Sequence, residues 1–217
     1  SANGGATAFS TATDTAAITV TAVNDAPTLA GGTSILPSTN EDTSSGGTLV
    51  SSILTDTGAA DVDSGASSGI AVTGVSANGT WQYSTDGSTW TAFGAVSASG
   101  ALLLDSGSQV RYVPDNFNGE TATFTFKAWD QTTGTASTNG IPQTADATTD
   151  GGTTAFSSTT GTGSITVTDI NDAPTLTATP RNPTFTEGDA APGADLFSGV
   201  TAATVESGQT LTGLTLT

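Results

Sequence analysis

Apolar and polar residues alternate along several short stretches of this chain, a pattern typical of β-strands with one buried face. The longest is "TATFTFKAWD", residues 121–130, in which the inward side chains are Ala122, Phe124, Phe126 and Ala128. The same period of two in "QVRYVP", "ALLL", "SITVT" and "AAITV" places inward Val110, Tyr112, Leu102, Leu104, Ile165, Val167, Ile18 and Val20. No stretch has a convincing helical period. The pattern therefore predicts an all-β chain.

Turn residues separate these stretches and indicate how the strands are joined. In "WQYSTDGSTW", residues 81–90, the Asp86-Gly87 pair predicts a hairpin turn. Short strands divided by Gly, Ser and Asp turns indicate an antiparallel β-sandwich of the immunoglobulin-like kind. Residues 131–152 exceed what a minimal sandwich needs, and form either a long surface loop or an extra hairpin. Because Trp129 points away from the predicted core, a covering role over the outer face of the sheet is favoured.

A long internal repeat sets the domain organisation. Residues 4–29 align without a gap to residues 151–176, with 18 of 26 positions identical, so the repeat spacing is 147 residues. That length suits one whole domain per repeat rather than a solenoid. We therefore predict the end of one domain at 1–26, a complete domain at 27–174 and the beginning of a third at 175–217.

Composition narrows the possible functions. Three basic residues against twenty acidic ones give a formal charge of −17, which disfavours binding to nucleic acid or to anionic membranes and favours cations. No apolar run is long enough for membrane insertion. The chain has no His and no Cys, so the commonest general base and thiol nucleophile are missing. We expect a protein that is not an enzyme.

Acidic residues gather where the predicted strands end. They are Glu41-Asp42, Asp61-x-Asp63, Asp130 and the Asn-Asp pairs at 24–25 and 171–172. Strand ends meet at the poles of a sandwich, where neighbouring domains jointly supply the six to eight oxygen ligands that Ca²⁺ prefers. The cofactor expected from this pattern is Ca²⁺.

These motifs, in this order, resemble the cadherin family. Asp130 followed by Gly134 is similar to the family's A-x-D-x-G, "DINDAP" at 169–174 is similar to its D-x-N-D-x-x-P linker, and "DVDSG" at 61–65 looks like its D-x-D. The chain resembles the cadherin-like tandem repeats of very large bacterial surface adhesins, often of the RTX type. The resemblance covers essentially the whole chain and implies a secreted, cell-surface location and adjacent repeats as partners.

The resemblance also implies one calcium cluster at each linker. At the first, Asn24 and Asp25 would join Asp61, Asp63 and Asp130; at the second, Glu41 would join Asp169, Asn171 and Asp172. Two positions depart from the pattern, since Ala22 stands where the second copy has Asp169, and "TVESG" offers Thr204 and Glu206 in place of an acidic pair. Each linker therefore lacks one expected carboxylate.

The function that this implies is a calcium-stiffened spacer that carries a distal adhesive domain. Two alternatives stay open. In the first, the domain binds a surface glycan through Trp81 and Trp90, although aromatic residues on hairpin strands are more often core. In the second, like molecules form a filament in which the partial ends, residues 1–23 and 177–217, complete a neighbour's sheet by strand addition.

Overall fold

The computed structural model describes residues 4–184, 196–206 and 208–213, which contain thirteen strands and a short helix. The elements are β1 (Gly32–Ile35), β2 (Thr39–Asn40), β3 (Thr48–Leu49), α1 (Val50–Asp56), β4 (Gly69–Ser76), β5 (Thr80–Ser84), β6 (Thr91–Ala92), β7 (Ala101–Asp105), β8 (Gln109–Val113), β9 (Glu120–Trp129), β10 (Thr144–Ala145), β11 (Phe156–Thr168), β12 (Thr175–Pro180) and β13 (Phe197–Ala203). In this part of the chain, no helix has the length and apolarity to cross a membrane.

Two sheets pack face to face as a β-sandwich. The larger sheet has the strand order β1-β11-β9-β4-β7-β10, with β2 also paired to β11, and the smaller has the order β3-β8-β5-β6. Neighbouring strands run antiparallel, except that β1 and β2 are parallel to β11. The predicted all-β sandwich is confirmed.

The core between the sheets follows the alternation in the sequence. Its main contributors are Ile70, Val72, Leu102, Leu104, Phe124, Phe126 and Ile165 from the larger sheet, and Trp81, Tyr83, Val110 and Tyr112 from the smaller. Gly161 and Gly163 of β11 lie directly on the Phe126 and Phe124 rings, where a Cβ atom would come within 2.7 and 2.3 Å of ring carbons. Glycine at these positions lets the two phenylalanines pack against the strand.

The outer face of the larger sheet is also buried, beneath residues 131–152, which we call the covering segment. Its strand β10 pairs with β7, and Ala147 packs with Trp129 and Leu103 in a second apolar layer. The Trp129 indole donates to the Thr133 carbonyl at 2.7 Å. The covering role predicted from the position of Trp129 is therefore confirmed, and the larger sheet is apolar on both faces.

The helix α1 corrects the expectation that no helical period is present. Val50, Ile53 and Leu54 are its buried residues, at the i, i+3 and i+4 spacing of one helical face. The helix lies at the edge of the core between β3 and the 57–68 loop. Seven residues are too few to give a clear periodic signal in the sequence.

The strand predicted at residues 16–20 does not form. Ile18 and Val20 are 90% and 84% exposed, and their backbone is not paired. The equivalent residues of the second copy, Ile165 and Val167, lie in β11 between β9 and β1. A strand needs such neighbours to satisfy its backbone groups, and residues 16–20 have none in the described structure.

The segment after the second linker forms its own small sheet. Strands β12 and β13 pair antiparallel with each other and with no strand of the sandwich. Residues 185–195, 207 and 214–217 of the predicted third segment lie outside the described residues. The domain boundaries near Pro27 and Pro174 stay predictions.

Candidate metal sites at the two linkers

Three carboxylates from distant parts of the chain converge at the second linker. They belong to Glu41, which directly follows β2, to Asp172 in the linker, and to Glu206, which follows β13. One carboxylate oxygen from each lies within 4.8 Å of the others. The parallel pairing of β2 with the last residues of β11 brings Glu41 to the start of the linker. The cluster therefore includes acidic groups from both sides of the linker.

Glu41 is the central member of this cluster. Its side chain is fully buried; Oε1 accepts the Ile170 N–H at 2.8 Å, while Oε2 has no partner among the described residues. Burial raises the pKa of the Glu41 carboxyl above its usual 4.5, and the charges of Asp169 and Asp172 raise it further, against the hydrogen bond from Ile170. This buried oxygen is therefore free to accept a hydrogen bond or to bind a cation.

Hydrogen bonds hold the Glu206 carboxylate in place. The Asp172 N–H donates to Glu206 Oε1, and the Gln209 side-chain amide donates to Glu206 Oε2 and, at 3.2 Å, to Asn171 Oδ1. Across the described residues, the sole salt bridge joins Lys127 to Asp150. No basic side chain of this part of the chain is therefore paired with the three carboxylates.

The remaining residues predicted at the second linker lie beside the cluster. Asp169 is exposed, and its Oδ1 accepts the Gly119 N–H at 2.9 Å. A Cβ atom at Gly119 would come within 2.8 Å of the Asp169 nitrogen, so only glycine allows this close approach. Asn171 is exposed and donates to the Asp172 carbonyl at 3.2 Å. Asp169 and Asn171 are thus neighbours of the three clustered carboxylates, and their role as ligands stays a prediction.

The donor set fits a hard divalent cation. All candidate ligands are oxygens, whereas zinc sites in proteins are built mainly from His nitrogen and Cys sulfur, which this chain lacks. The unpartnered, buried Oε2 of Glu41 is the specific observation that a bound cation would explain. Calcium, which accepts carboxylates together with amide and backbone oxygens, matches these residues.

At the first linker, acidic residues are arranged around the Asp61-x-Asp63 motif. The Asp25 N–H donates to Asp63 Oδ2 at 2.9 Å, and the Asp63 N–H donates to Asp61 Oδ1 at 2.9 Å. The other oxygen of Asp61, Oδ2, is buried and has no hydrogen-bond partner in the part of the chain that the structure describes. A cavity of about 440 Å³, lined in part by Asp61, Asp63 and Trp129, lies beside this motif. It gives a solvent-accessible route to the carboxylates.

Asn24 and Asp130 complete the set predicted at the first linker. Asp130 is buried; its Oδ2 accepts the Asn24 side-chain amide at 2.9 Å, and its Oδ1 accepts the Thr132 N–H at 2.8 Å. Asn24 also donates to the Thr154 carbonyl at 3.2 Å. The structure therefore brings Asn24 to Asp130 and Asp25 to Asp63. Within the described part of the chain, only the second linker has three carboxylates as close as 4.8 Å.

The two linkers share one backbone contact. The N–H of the linker aspartate donates to an acidic side chain of the segment that follows: Asp25 to Asp63, and Asp172 to Glu206. This is the correspondence drawn from "DVDSG" and "TVESG". The predicted ligand set nevertheless omitted Glu206, because Thr204 replaces the first aspartate of the motif. The signal for Glu206 was the acidic residue followed by Ser-Gly.

The aromatic residues considered for glycan binding lie in different environments. Trp81 is only 3% exposed and packs against the rings of Phe93, Tyr112 and Phe124, so it has no free face for a sugar. Its predicted ligand role is corrected to a core role. Trp90 is half-buried, with the Arg111 guanidinium 4.2 Å from its ring centroid. That side of Trp90 is therefore already covered by a cation–π contact.

Comparison of the chain with models of known protein families, with curated proteins and with solved structures finds no match.

Proposed function

We propose that this protein is a calcium-stiffened spacer: tandem β-sandwich repeats of an extracellular, cell-surface adhesin, joined by linkers that calcium makes rigid. The observation that carries the proposal is the cluster of Glu41, Asp172 and Glu206. These residues come from the sandwich, the linker and the following segment, so a shared cation would connect all three. The unpartnered oxygen of buried Glu41 supports the same conclusion.

The negative charge of the cluster makes the stiffness of the linker depend on calcium. Glu41, Asp172 and Glu206 repel one another when no cation is bound, and the chain's formal charge of −17 adds to the repulsion. A divalent cation held by these carboxylates supplies the compensating charge. Glu41 is fixed to the sandwich by β2, whereas Glu206 belongs to the segment after the linker. Holding the two together restricts bending between them.

The stability that bound calcium is expected to contribute is modest for one site and substantial for several. Extracellular calcium modules bind with dissociation constants of roughly 10⁻⁴ to 10⁻³ M. At about 1 mM calcium, a site of roughly 10⁻⁴ M contributes about 1.4 kcal/mol of stability. Where cytosolic calcium is low, the carboxylates stay unneutralised and the linkers bend, which suits export of an extended chain.

Strand addition between like molecules is disfavoured at β11 by one observation. Residues 4–29 are the natural candidate to replace β11 in another copy, because they repeat its sequence. However, Asp14 and Ala16 stand where β11 has Gly161 and Gly163, against which Phe126 and Phe124 pack without room for a Cβ atom. The N-terminal copy therefore does not fit this position without displacing the core rings.

Small-angle X-ray scattering across a calcium titration tests the proposal. We expect the maximum dimension to increase and become better defined as calcium is added, because the linkers stop bending. Glu41→Gln combined with Glu206→Gln should reduce the response, and the same titration with a monovalent salt controls for screening of charge. An unchanged scattering curve at saturating calcium would contradict the proposal. A curve that changes equally in the variant would refute the role of these carboxylates.

A further inference from the structure

The end of the covering segment holds the first linker. The Ala26 N–H donates to the Gly152 carbonyl at 2.8 Å, and the Asn24 side-chain amide donates to the Thr153 and Thr154 carbonyls at 3.5 and 3.2 Å. Residues 152–154 therefore accept three hydrogen bonds from the linker, although more than 120 residues separate them in sequence. The same Asn24 amide donates to Asp130. Residues 152–154 thus lie next to the predicted calcium ligands.

This part of the chain, residues 150–154, is a tight turn. Gly151 and Gly152 have φ angles of 67° and 60°, which favour glycine. The Gly151 N–H donates to the Phe156 carbonyl at 2.8 Å, and the Thr154 N–H donates to the Gly151 carbonyl at 3.1 Å. A displacement at Asp150 would therefore move the carbonyls that hold Asn24 and Ala26.

Lys127 binds Asp150, the first residue of that turn. It is the single lysine of the chain and is 8% exposed, on the face of β9 that the covering segment buries. Its Nζ donates to the Ala147 carbonyl at 3.0 Å and forms an ion pair with Asp150. The pair is partly buried, since the Lys127 and Asp150 side chains are 11% and 31% exposed. Such an ion pair is a poor source of stability, and an apolar replacement of both partners is often neutral. Its best-attested use is to fix one arrangement of the surrounding chain.

We propose that the Lys127–Asp150 ion pair positions the 151–154 turn so that it holds the first linker, and thereby orients Asn24 and Asp25 for the cation site with Asp61, Asp63 and Asp130. This inference rests on the proposed function, because it assigns two positioning residues to one of its two sites. Neither Lys127 nor Asp150 touches the cation.

The second linker serves as an internal reference. Its Glu41 and Glu206 carboxylates are held by Ile170, Gln209 and the linker backbone, and none of these contacts involves Lys127 or the 151–154 turn. Loss of the ion pair should therefore weaken calcium binding at the first linker and leave the second unchanged. A general loss of stability would affect both.

Calorimetric titration with calcium chloride separates the two sites. The first is measured in a Glu41→Gln/Glu206→Gln background, and the second in an Asp61→Asn/Asp63→Asn background. Adding Lys127→Met and Asp150→Asn together should weaken the first site roughly tenfold, the usual effect of removing a partner that orients ligands. The second site should not change, and Lys127→Arg alone should retain most of the affinity.

Hydrogen exchange of the Ala26 amide, measured without calcium, tests the positioning separately. The Lys127→Met/Asp150→Asn variant should exchange this amide faster, while core amides of β9 and β11 stay protected. Unchanged affinity at the first site, together with unchanged Ala26 exchange, would overturn the inference and leave the proposed function intact. An equal loss at both sites would overturn it in favour of general destabilisation. Absence of calcium binding in both parent backgrounds would overturn the inference and the proposed function together.

Discussion

Glu41→Gln should change the stability of the protein in opposite directions without and with calcium. Without metal, the buried Glu41 carboxylate lies near Asp169 and Asp172 and has one oxygen with no partner, so its charge opposes folding. Glutamine has nearly the same shape and keeps a carbonyl oxygen for the Ile170 N–H. We therefore expect the variant to melt at a higher temperature than the parent protein in a calcium chelator.

With calcium present, the same substitution removes a charged ligand from the site. A site of roughly 10⁻⁴ M contributes about 1.4 kcal/mol at millimolar calcium. For a domain of this size, that corresponds to a rise in melting temperature of about 3 to 6 °C. The variant should show a smaller rise in melting temperature, because the site at the second linker no longer contributes. The first linker, which does not include Glu41, should still contribute its part of the rise.

The pH dependence without metal follows from the direction of the pKa shift. Because the folded-state pKa of Glu41 is raised above its usual 4.5, the folded protein holds this proton more tightly than the unfolded chain does. The contribution to stability is therefore present below about pH 4.5 and is lost as the pH rises through the folded pKa. Glu41→Gln should remove that part of the pH dependence.

Thermal melts followed by circular dichroism, in chelator and in calcium, measure these effects. The matched control is Asp42→Asn, which removes one negative charge from the neighbouring exposed position. It should shift neither the chelator melt nor the calcium response appreciably. If Glu41→Gln melts below the parent protein in chelator and keeps the full calcium response, Glu41 is neither a strained buried charge nor a ligand.

Three further substitutions test the fold around the sites. Gly119→Ala should cost about 1 to 3 kcal/mol in urea unfolding, because its Cβ would press on the Asp169 backbone, whereas Gly46→Ala, which has open space, should cost much less. Phe124→Ala should cost about 3 to 5 kcal/mol by opening the core between the sheets, with exposed Phe117→Ala nearly neutral in the same assay. Trp90→Ala should leave the calcium-induced change in scattering unaltered, since this half-buried ring lies on the hairpin and not among the linker carboxylates.

Alternation along the strands predicted the inner core well, because a sandwich strand exposes successive side chains to opposite faces. In β9 it correctly placed Phe124 and Phe126 inward. It gave only indirect evidence that Lys127 and Trp129, on the other face, are also buried. The covering segment is poor in apolar residues, so its own sequence resembles a surface loop. Only the position of Trp129 indicated that this segment covers the outer face of the sheet.

Alternation gave a wrong prediction where a strand needs neighbouring strands in order to form. Ile18 and Ile165 occupy equivalent positions in the two copies, yet only Ile165 is paired and buried. The candidate metal sites show the same limit. The cluster of Glu41 and Asp172 was expected from the motifs, whereas the inclusion of Glu206 depends on how the segment after the linker folds back. Local sequence identifies acidic residues, but tertiary structure decides which of them meet.

The backbone hydrogen bond that both linkers form with the segment that follows indicates where the second linker bends. Asp172 is tied to the following segment through Glu206, and Thr168 is tied to the sandwich through β2. Between them, Asp169 accepts one hydrogen bond from Gly119, and Ile170 donates one to Glu41. We therefore expect bending without calcium at residues 169–171 and not at Pro174, whose ring restricts its φ angle. Since Glu41 and Asp172 flank this short stretch, a cation bound by both would immobilise the residues that bend.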